Sequence, residues 1–555
     1  MFQQDHRTKL FTLGATCFGL FMVMLDNTVV NLALPTIQRE MSADISGLQW
    51  IIDSFILLLA TFMLTGGTLG DLYGRKRAFI IGLVVFTGGS LFCALSPSVA
   101  MLIAGRIIQG IGAAVMMPST LAILTNTFQD PKERAQAIGI WAGVSGISLA
   151  IGPAVGGLMV DAFGWQSIFY LNVPIGVIAI FMTARVVPES KSPQGRGLDI
   201  PGQALAIAGL GSLTFAFIEA NHYGWGSPLI VTLFVVAVVV LAGFALWERR
   251  AKSPVLQLDF FRNITFSGAN LVGLMISFGF IGMLMFLALF MQNVQGFTPT
   301  GAGVRQLPST LAVMVFAILS GRIVGRVGAR VPIAAGMVIV GAGILSFLSV
   351  ESTTPYSHYW WILAVVGVGT GLVMSPITTA VMSTVPVARA GMASATSNTM
   401  RQVGGVFGIA VLGSIVTSRF TSTLVEAFTS MGLPSSIAQK VVEGAQQGRG
   451  AGAMPALPGL DAAAIESAIG DSFMAGFHSA VWVAGIVLLA GAVIGAIMVR
   501  HTSPQAQLAR RTGPEGAPAA ARPAAVALEA GPPEAGPAGA SGTEAGATAI
   551  DVTAE

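Results

Sequence analysis

The chain has 555 residues, 54% of them hydrophobic and only 10% charged, with a mean hydropathy of +0.76. A soluble domain carries roughly 25% charged residues, so most of this sequence is suited to lipid rather than water. The net charge of +3 comes from cations spread over many short segments, which excludes the single basic face that a nucleic-acid binder needs.

The N-terminus places His6, Arg7 and Lys9 before an apolar run, as a signal peptide does. No small-residue cleavage site follows and Asp26 interrupts the run, so an uncleaved first span is expected. A membrane helix takes about 20 apolar residues, and windowed hydropathy yields 14 such stretches. They lie near 10–35, 47–70, 78–97, 100–124, 136–160, 167–187, 201–221, 227–247, 267–292, 305–327, 331–350, 359–385, 397–419 and 473–499. Alternate short loops hold the cations: Arg75, Lys76 and Arg77, then Lys132 and Arg134, Lys191 and Arg196, Arg249 to Arg262, and Arg326 and Arg330. The opposite loops carry almost none apart from Arg39, so the positive-inside rule puts both termini in the cytoplasm. Residues 420–472 read as a long outside loop with helical-looking pieces such as Ser436 to Gln446. Residues 503–555 are rich in Pro, Ala and Gly and are expected to be a disordered cytoplasmic tail.

Asp26 stands out because an ionised carboxylate mid-span costs about 2.5–3.5 kcal/mol on insertion scales. Such a group pairs with a cation, lines a wet cavity or takes up a proton. Cys17 and Cys93 both fall in apolar spans and read as packing residues rather than a disulfide or metal site. The fifth span carries small residues at Gly139, Gly143, Gly146, Ala150, Ala154 and Gly157, at helical spacing. That stripe permits close helix approach. Gly152-Pro153 would add a bend.

The loop after the second span reads Gly67-Thr68-Leu69-Gly70-Asp71-Leu72-Tyr73-Gly74-Arg75-Lys76-Arg77. It resembles the signature loop of the major facilitator superfamily, with a worn second copy at Gly321 to Arg330 that lacks the Asp. Arg106-Ile107-Ile108-Gln109-Gly110 adds a further family motif with an arginine inside the fourth span, and Ser148 to Gly157, with Gly152, Pro153, Gly156 and Gly157, resembles the motif associated with its antiporters. The opening Asp26 motif, Asp199 to Leu205, Trp165 with Phe169 and Asn172, and Arg401-Gln402-Val403-Gly404-Gly405 resemble the fourteen-span drug:proton antiporters of the EmrB/QacA type. The resemblance covers roughly residues 8–499.

It implies an all-helical major facilitator fold: two six-helix bundles (residues 1–187 and 263–502) with two additional spans in 188–262. It implies that Asp26 and Arg106 sit together and couple protonation to helix arrangement; a permanent structural ion pair is the other reading. It implies that Asp71 latches against a helix start in the other half, with Gly67, Gly70, Gly74 and Arg75 shaping the turn. Asp53 is a candidate contact for cationic compounds or a solvated acid at a helix end. Glu219, beside Asn221 and His222, is a second proton or cation candidate or a merely solvated acid. Arg305 and Arg401 open the tenth and thirteenth spans and are expected to be snorkelling interface cations. Met24, Phe286 and Gln292 are candidate substrate contacts, because flexible Met and flat aromatics suit promiscuous binding and an amide in a span needs a partner.

The expected function is proton-coupled efflux of hydrophobic, often cationic, drugs through a bacterial plasma membrane, with protons, small molecules and lipid as partners. Export of one endogenous product (an antibiotic, lipid or siderophore) is the alternative. No nucleotide loop, nucleophile motif or metal-spaced cluster occurs in the sequence, so no enzyme activity, metal or cofactor is expected.

Overall fold

The structure, a computed structural model, describes residues 6–191, 197–254, 256–385, 390–434, 438–439, 442 and 462–500. Among them are fourteen long helices and no strand. These are α1 (His6–Met41), α2 (Ile45–Tyr73), α3 (Arg75–Ala94), α4 (Val99–Thr127), α5 (Pro131–Phe163), α6 (Ser167–Val186) and α7 (Ile200–Tyr223). They continue as α8 (Pro228–Glu248), α9 (Ile264–Leu289), α10 (Pro299–Val327), α11 (Arg330–Leu345), α12 (Tyr356–Ser383), α13 (Ala390–Ser430) and α14 (Ala462–Met498). Thirteen are apolar and long enough to cross a bilayer, and α5, bent by 42° at residue 149, makes fourteen. Pro153 explains the bend, since it offers no N–H to the carbonyl four residues back.

The turns are written in the residues at helix starts. Asp44 Oδ1 accepts from Gly47 N at 2.8 Å to begin α2, and Ser98 begins α4 in the same way. Ser227 and Thr298 cap α8 and α10, each followed by a proline suited to a first helical turn.

Packing repeats itself. In the first half α1 lies against α5 and α6, α3 against α4 and α6, and α2 against α4. In the second half α9 lies against α13 and α14, α11 against α12 and α14, and α10 against α12. The halves meet along two seams, α2 with α13 and α5 with α10, exchanged by the same relation. The fold is therefore two six-helix bundles with a two-helix insertion. Of that insertion, α7 packs on α2 and α13, while α8 packs on α7 and buries only Ile230, Ala237 and Glu248. The remaining Val- and Leu-rich surface of α8 suits lipid.

The α5–α10 seam is closed at one end and open at the other. At the end carrying Met41 and Pro299, Gly157 abuts the Pro299 carbonyl and Gly303 abuts the Pro153 carbonyl, leaving no room for a side chain. Thr310 Oγ1 donates to the Ala150 carbonyl at 3.1 Å. Toward the basic end, which carries Arg75 to Arg77, α5 and α10 diverge. A methyl at Gly146 would lie 3.8 Å from Met314, and at Gly143 or Gly139 it would meet nothing within 4 Å among the described residues.

Two helices run further than hydropathy indicates. The expected 420–472 loop is shorter, because α13 continues to Ser430 with Phe420, Leu424 and Phe428 buried, and α14 already begins at Ala462. Apolar packing, rather than hydropathy averaged over a window, sets those ends. At its other end α13 begins at Ala390, so Arg401 lies three turns inside its helix and not at the mouth of a span. Most of Ser436 to Gln446 and the whole 503–555 tail lie outside the described residues.

Candidate functional site

Asp26 sits at the centre of a buried polar network drawn from five helices. Arg106 of α4 donates Nη1 to Asp26 Oδ2, and both side chains are about 1% exposed. Asp26 Oδ1 accepts from Gln109 Nε2 at 3.3 Å and from Asn172 Nδ2 of α6 at 3.0 Å. Arg106 also donates Nη1 to Gln109 Oε1 at 2.9 Å and Nε to the Ile51 carbonyl of α2 at 3.0 Å. Its guanidinium lies 4.2 Å from the Phe55 ring centre. Gln109 Nε2 also donates to Ser90 Oγ of α3 at 2.6 Å, and Cys93 Sγ lies 3.4 Å from Gln109 Oε1. Among the described residues every hydrogen bond to Asp26 comes from an N–H donor, the complement of an ionised carboxylate. A buried ion pair persists only when such extra bonds satisfy its remaining lone pairs and protons.

The other acids are placed differently. Asp53 is fully buried, and neither carboxylate oxygen has a hydrogen-bond partner among the described residues. The solvated helix-end reading is therefore corrected: one turn from Gln49, Asp53 lies under the closed α2–α13 seam. There Gln49 Nε2 donates to the Ile409 carbonyl at 2.8 Å. Glu219 is half-buried and accepts from Trp50 Nε1 at 2.9 Å, tying α7 to α2 rather than joining the Asp26 network. Next to it, Asn221 Nδ2 donates to the Ser414 carbonyl of α13 at 2.7 Å.

Among the proposed substrate contacts, Met24 is half-buried on α1, while Phe286 is fully enclosed in the α9 core and reaches no open space in this conformation. Gln292 lies in a π-helical turn (Phe290–Val294) after α9 and donates Nε2 to the Leu32 carbonyl at 2.9 Å. Its Oε1 has no partner among the described residues. Asn293 beside it donates to Gln38 Oε1 at 2.7 Å, so this turn fastens the second half to α1. Arg305 is no free interface cation: its guanidinium lies 3.8 Å from the Phe297 ring centre and 5.4 Å from that of Tyr356.

The α2–α3 turn is clamped from its own half. Gly74 adopts φ +117°, a conformation open to glycine, and a side chain there would strike the Glu189 carboxylate. Glu189 accepts from the backbone N–H groups of Lys76 at 3.0 Å and Arg77 at 3.3 Å, capping α3. Gly67 and Gly70 let α2 approach Pro118 and Ser119 of α4. Asp71 accepts from Arg75 Nε at 3.0 Å and Nη2 at 2.9 Å. In this conformation Asp71 thus pairs within its own loop, because the halves diverge at this end. On α5, Gly152 and Gly156 press against Thr28 and Val29 of α1, whereas Gly157 faces the other half.

Three members of the network, Gln109, Asn172 and Ser90, are not among the candidate site residues read from sequence. The usable signal was an amide three residues from Arg106 and another in an otherwise apolar sixth span.

Residues 16–409 match the Major Facilitator Superfamily model. The chain belongs to the major facilitator superfamily. It is 40% identical over 442 residues to the multidrug resistance protein Stp of Mycobacterium tuberculosis, covering 79% of this chain and 81% of that protein. It is 34% identical over 499 residues to the tetracenomycin C resistance and export protein of Streptomyces glaucescens, covering 89% and 92%. The methylenomycin A resistance protein of Streptomyces coelicolor is 38% identical over 427 residues, covering 76% and 89%. Among solved structures, a bacterial homologue of the human lysosomal transporter Spinster superposes with a TM-score of 0.64 at 16% identity, covering 90% of this chain and all (100%) of that one. At that identity the likeness speaks to the superfamily fold alone.

Proposed function

We propose that the chain is a proton-driven exporter of hydrophobic, often cationic, drugs, working by alternating access across a bacterial plasma membrane. The basic end faces the cytoplasm with both termini, following the positive-inside rule, which makes the conformation described above open to the cytoplasm and closed outside. The observation that carries this reading is Asp26, buried among N–H donors and paired with Arg106. A proton on Asp26 removes its attraction to Arg106 and leaves a hydroxyl facing donors, so the network has to rearrange. Because that network joins α1, α3, α4 and α6 to the α2 backbone, its rearrangement bears on how the first half meets the second.

Entry of a proton from outside and its release inside would alternate with outward passage of drug. Each charge moving down the membrane potential supplies about 2.3 kcal/mol per 100 mV. Asp53 and Met24 serve as contacts for cationic and apolar parts of the drug. Gln292 and the Gly152-Pro153-Ala154-Val155-Gly156-Gly157 stretch serve closure at the outer end. The Asp71–Arg75 turn serves the inner end. Glu219 holds the inserted hairpin to α2.

The names of the relatives, all concerned with drug resistance or export, support the substrate class. Two of them are named for a single antibiotic, tetracenomycin C and methylenomycin A, which favours as second reading the export of one endogenous product. Reconstituted protein under an imposed pH gradient tests both. Ethidium movement that depends on the gradient and disappears in Asp26→Asn is the expected result. A panel of dyes left unmoved by folded, correctly inserted protein would sink the multidrug reading in favour of the single product.

A further inference from the structure

We infer that Arg401 is where the transport path receives an anionic group, so that the substrates include molecules carrying a carboxylate or phenolate beside their apolar or cationic parts. The inference rests on the export function proposed above and adds a chemical class to it.

Arg401 lies eleven residues beyond Ala390, about 16 Å along α13 at 1.5 Å per residue. Its contacts are neutral: Nη2 donates to Asn398 Oδ1, and Nη1 lies 3.4 Å from Met374 Sδ of α12. Among the described residues no carboxylate lies within 4 Å of it. The sequence leaves little to supply one, since Glu351 is the single acid between Asp259 and Glu426 and belongs to the turn before α12. Arg106, the fully buried guanidinium among the described residues, has Asp26, whereas part-exposed Arg401 has no such partner there.

A cation held among apolar helices is costly unless something neutralises it. A guanidinium presents five N–H donors in a planar fork that matches a carboxylate. A thioether is a weak acceptor that an anion readily displaces. Gly273 of α9 leaves space for the Arg401 stem, whose Cγ lies 3.2 Å from where a methyl on that glycine would stand. Arg401 and Asn398 are part-exposed while Val403 and Gly404 beside them are buried, so the polar tip looks out of the bundle packing.

The position relative to Asp53 gives the site a direction. Along the α2–α13 seam Gln49 meets Ile409 and Ala60 meets Thr399. Asp53 and Arg401 therefore stand about five residues or 7 Å apart in level, with Arg401 on the α13 face turned to α9 and α12 rather than to α2. Arg401 is the nearer to the basic end, where the halves diverge. A molecule entering from that end reaches the level of Arg401 before that of Asp53, an order that suits amphoteric compounds.

The test uses purified full-length protein and two dyes, a rhodamine with a free benzoate and its methyl ester, with binding followed by fluorescence anisotropy. The ratio of acid to ester affinity in the wild type is expected to exceed that in Arg401→Gln about tenfold, one charge-assisted contact. Gly273→Ala, which crowds the stem without removing the charge, is expected to lower the ratio about two- to threefold, and decides the matter if Arg401→Gln does not fold. Equal ratios in all three proteins would overturn the inference. So would parallel loss of both dyes in Arg401→Gln that is restored by adding Asp53→Asn, which would make Arg401 a charge partner between halves. No gradient is used, so failure here is distinct from failure of gradient-driven ethidium transport by the wild type.

Discussion

At the scale of single residues, Gln109 shows how much of the site is held by neutral side chains. It accepts from Arg106 and donates to Asp26 and Ser90, so it bridges both charges of the pair. Hydrogen bonds to charged groups are worth about 1.5–3 kcal/mol, whereas interhelical bonds in membranes average about 0.6 kcal/mol. Gln109→Leu is therefore expected to destabilise the protein by about 1–3 kcal/mol. Thr183→Val should cost far less, since Thr183 bonds only the Ala179 carbonyl of its own helix. Thermal unfolding in detergent reads both, and equal midpoints for the two variants would show that the network is not held this way. Asp26 and Arg106 were visible in the sequence as charges in apolar spans. Their neutral partners were less visible, because an Asn or Gln in a span announces a need for a bond without naming the other end.

Among the elements, α5 divides into two functional lengths that its sequence does not separate. Glycines recur along the whole helix, yet only the portion near Gly157 is pressed against α10, while Gly139 and Gly143 face open space. Periodicity marks a face; it does not say which part of that face is in contact in a given state. The same limit applied to α13, whose amphipathic ends continue the helix past the apolar window and so carry Arg401 into its interior. Gly157→Leu would drive a branched side chain into the Pro299 carbonyl and so oppose closure at that end. A cysteine introduced at Leu32 should then become more reactive toward a membrane-impermeant maleimide added outside, while the same variant at Gly139 leaves labelling unchanged. Equal labelling in both would mean that the α5–α10 contact does not set the closed state.

For the whole molecule, the fold was legible from hydropathy and cation placement, because lipid imposes a helix count and loop charge imposes alternation. The conformation was not, because the same contacts can be written for either state. Here Asp71 turns to Arg75 while Gln292, Asn293 and Asp161 fasten the far end, the last by accepting from Thr300 N at 2.8 Å. In the proposed mechanism, drug and proton exchange through the carboxylate of Asp26. Drug-induced proton release from purified protein in weak buffer tests this most directly. At a pH low enough to protonate Asp26 beforehand, the wild type should release protons when ethidium is added, and Asp26→Asn should bind the dye with no release. Undiminished proton release from Asp26→Asn would contradict this mechanism and move the coupling to another acid.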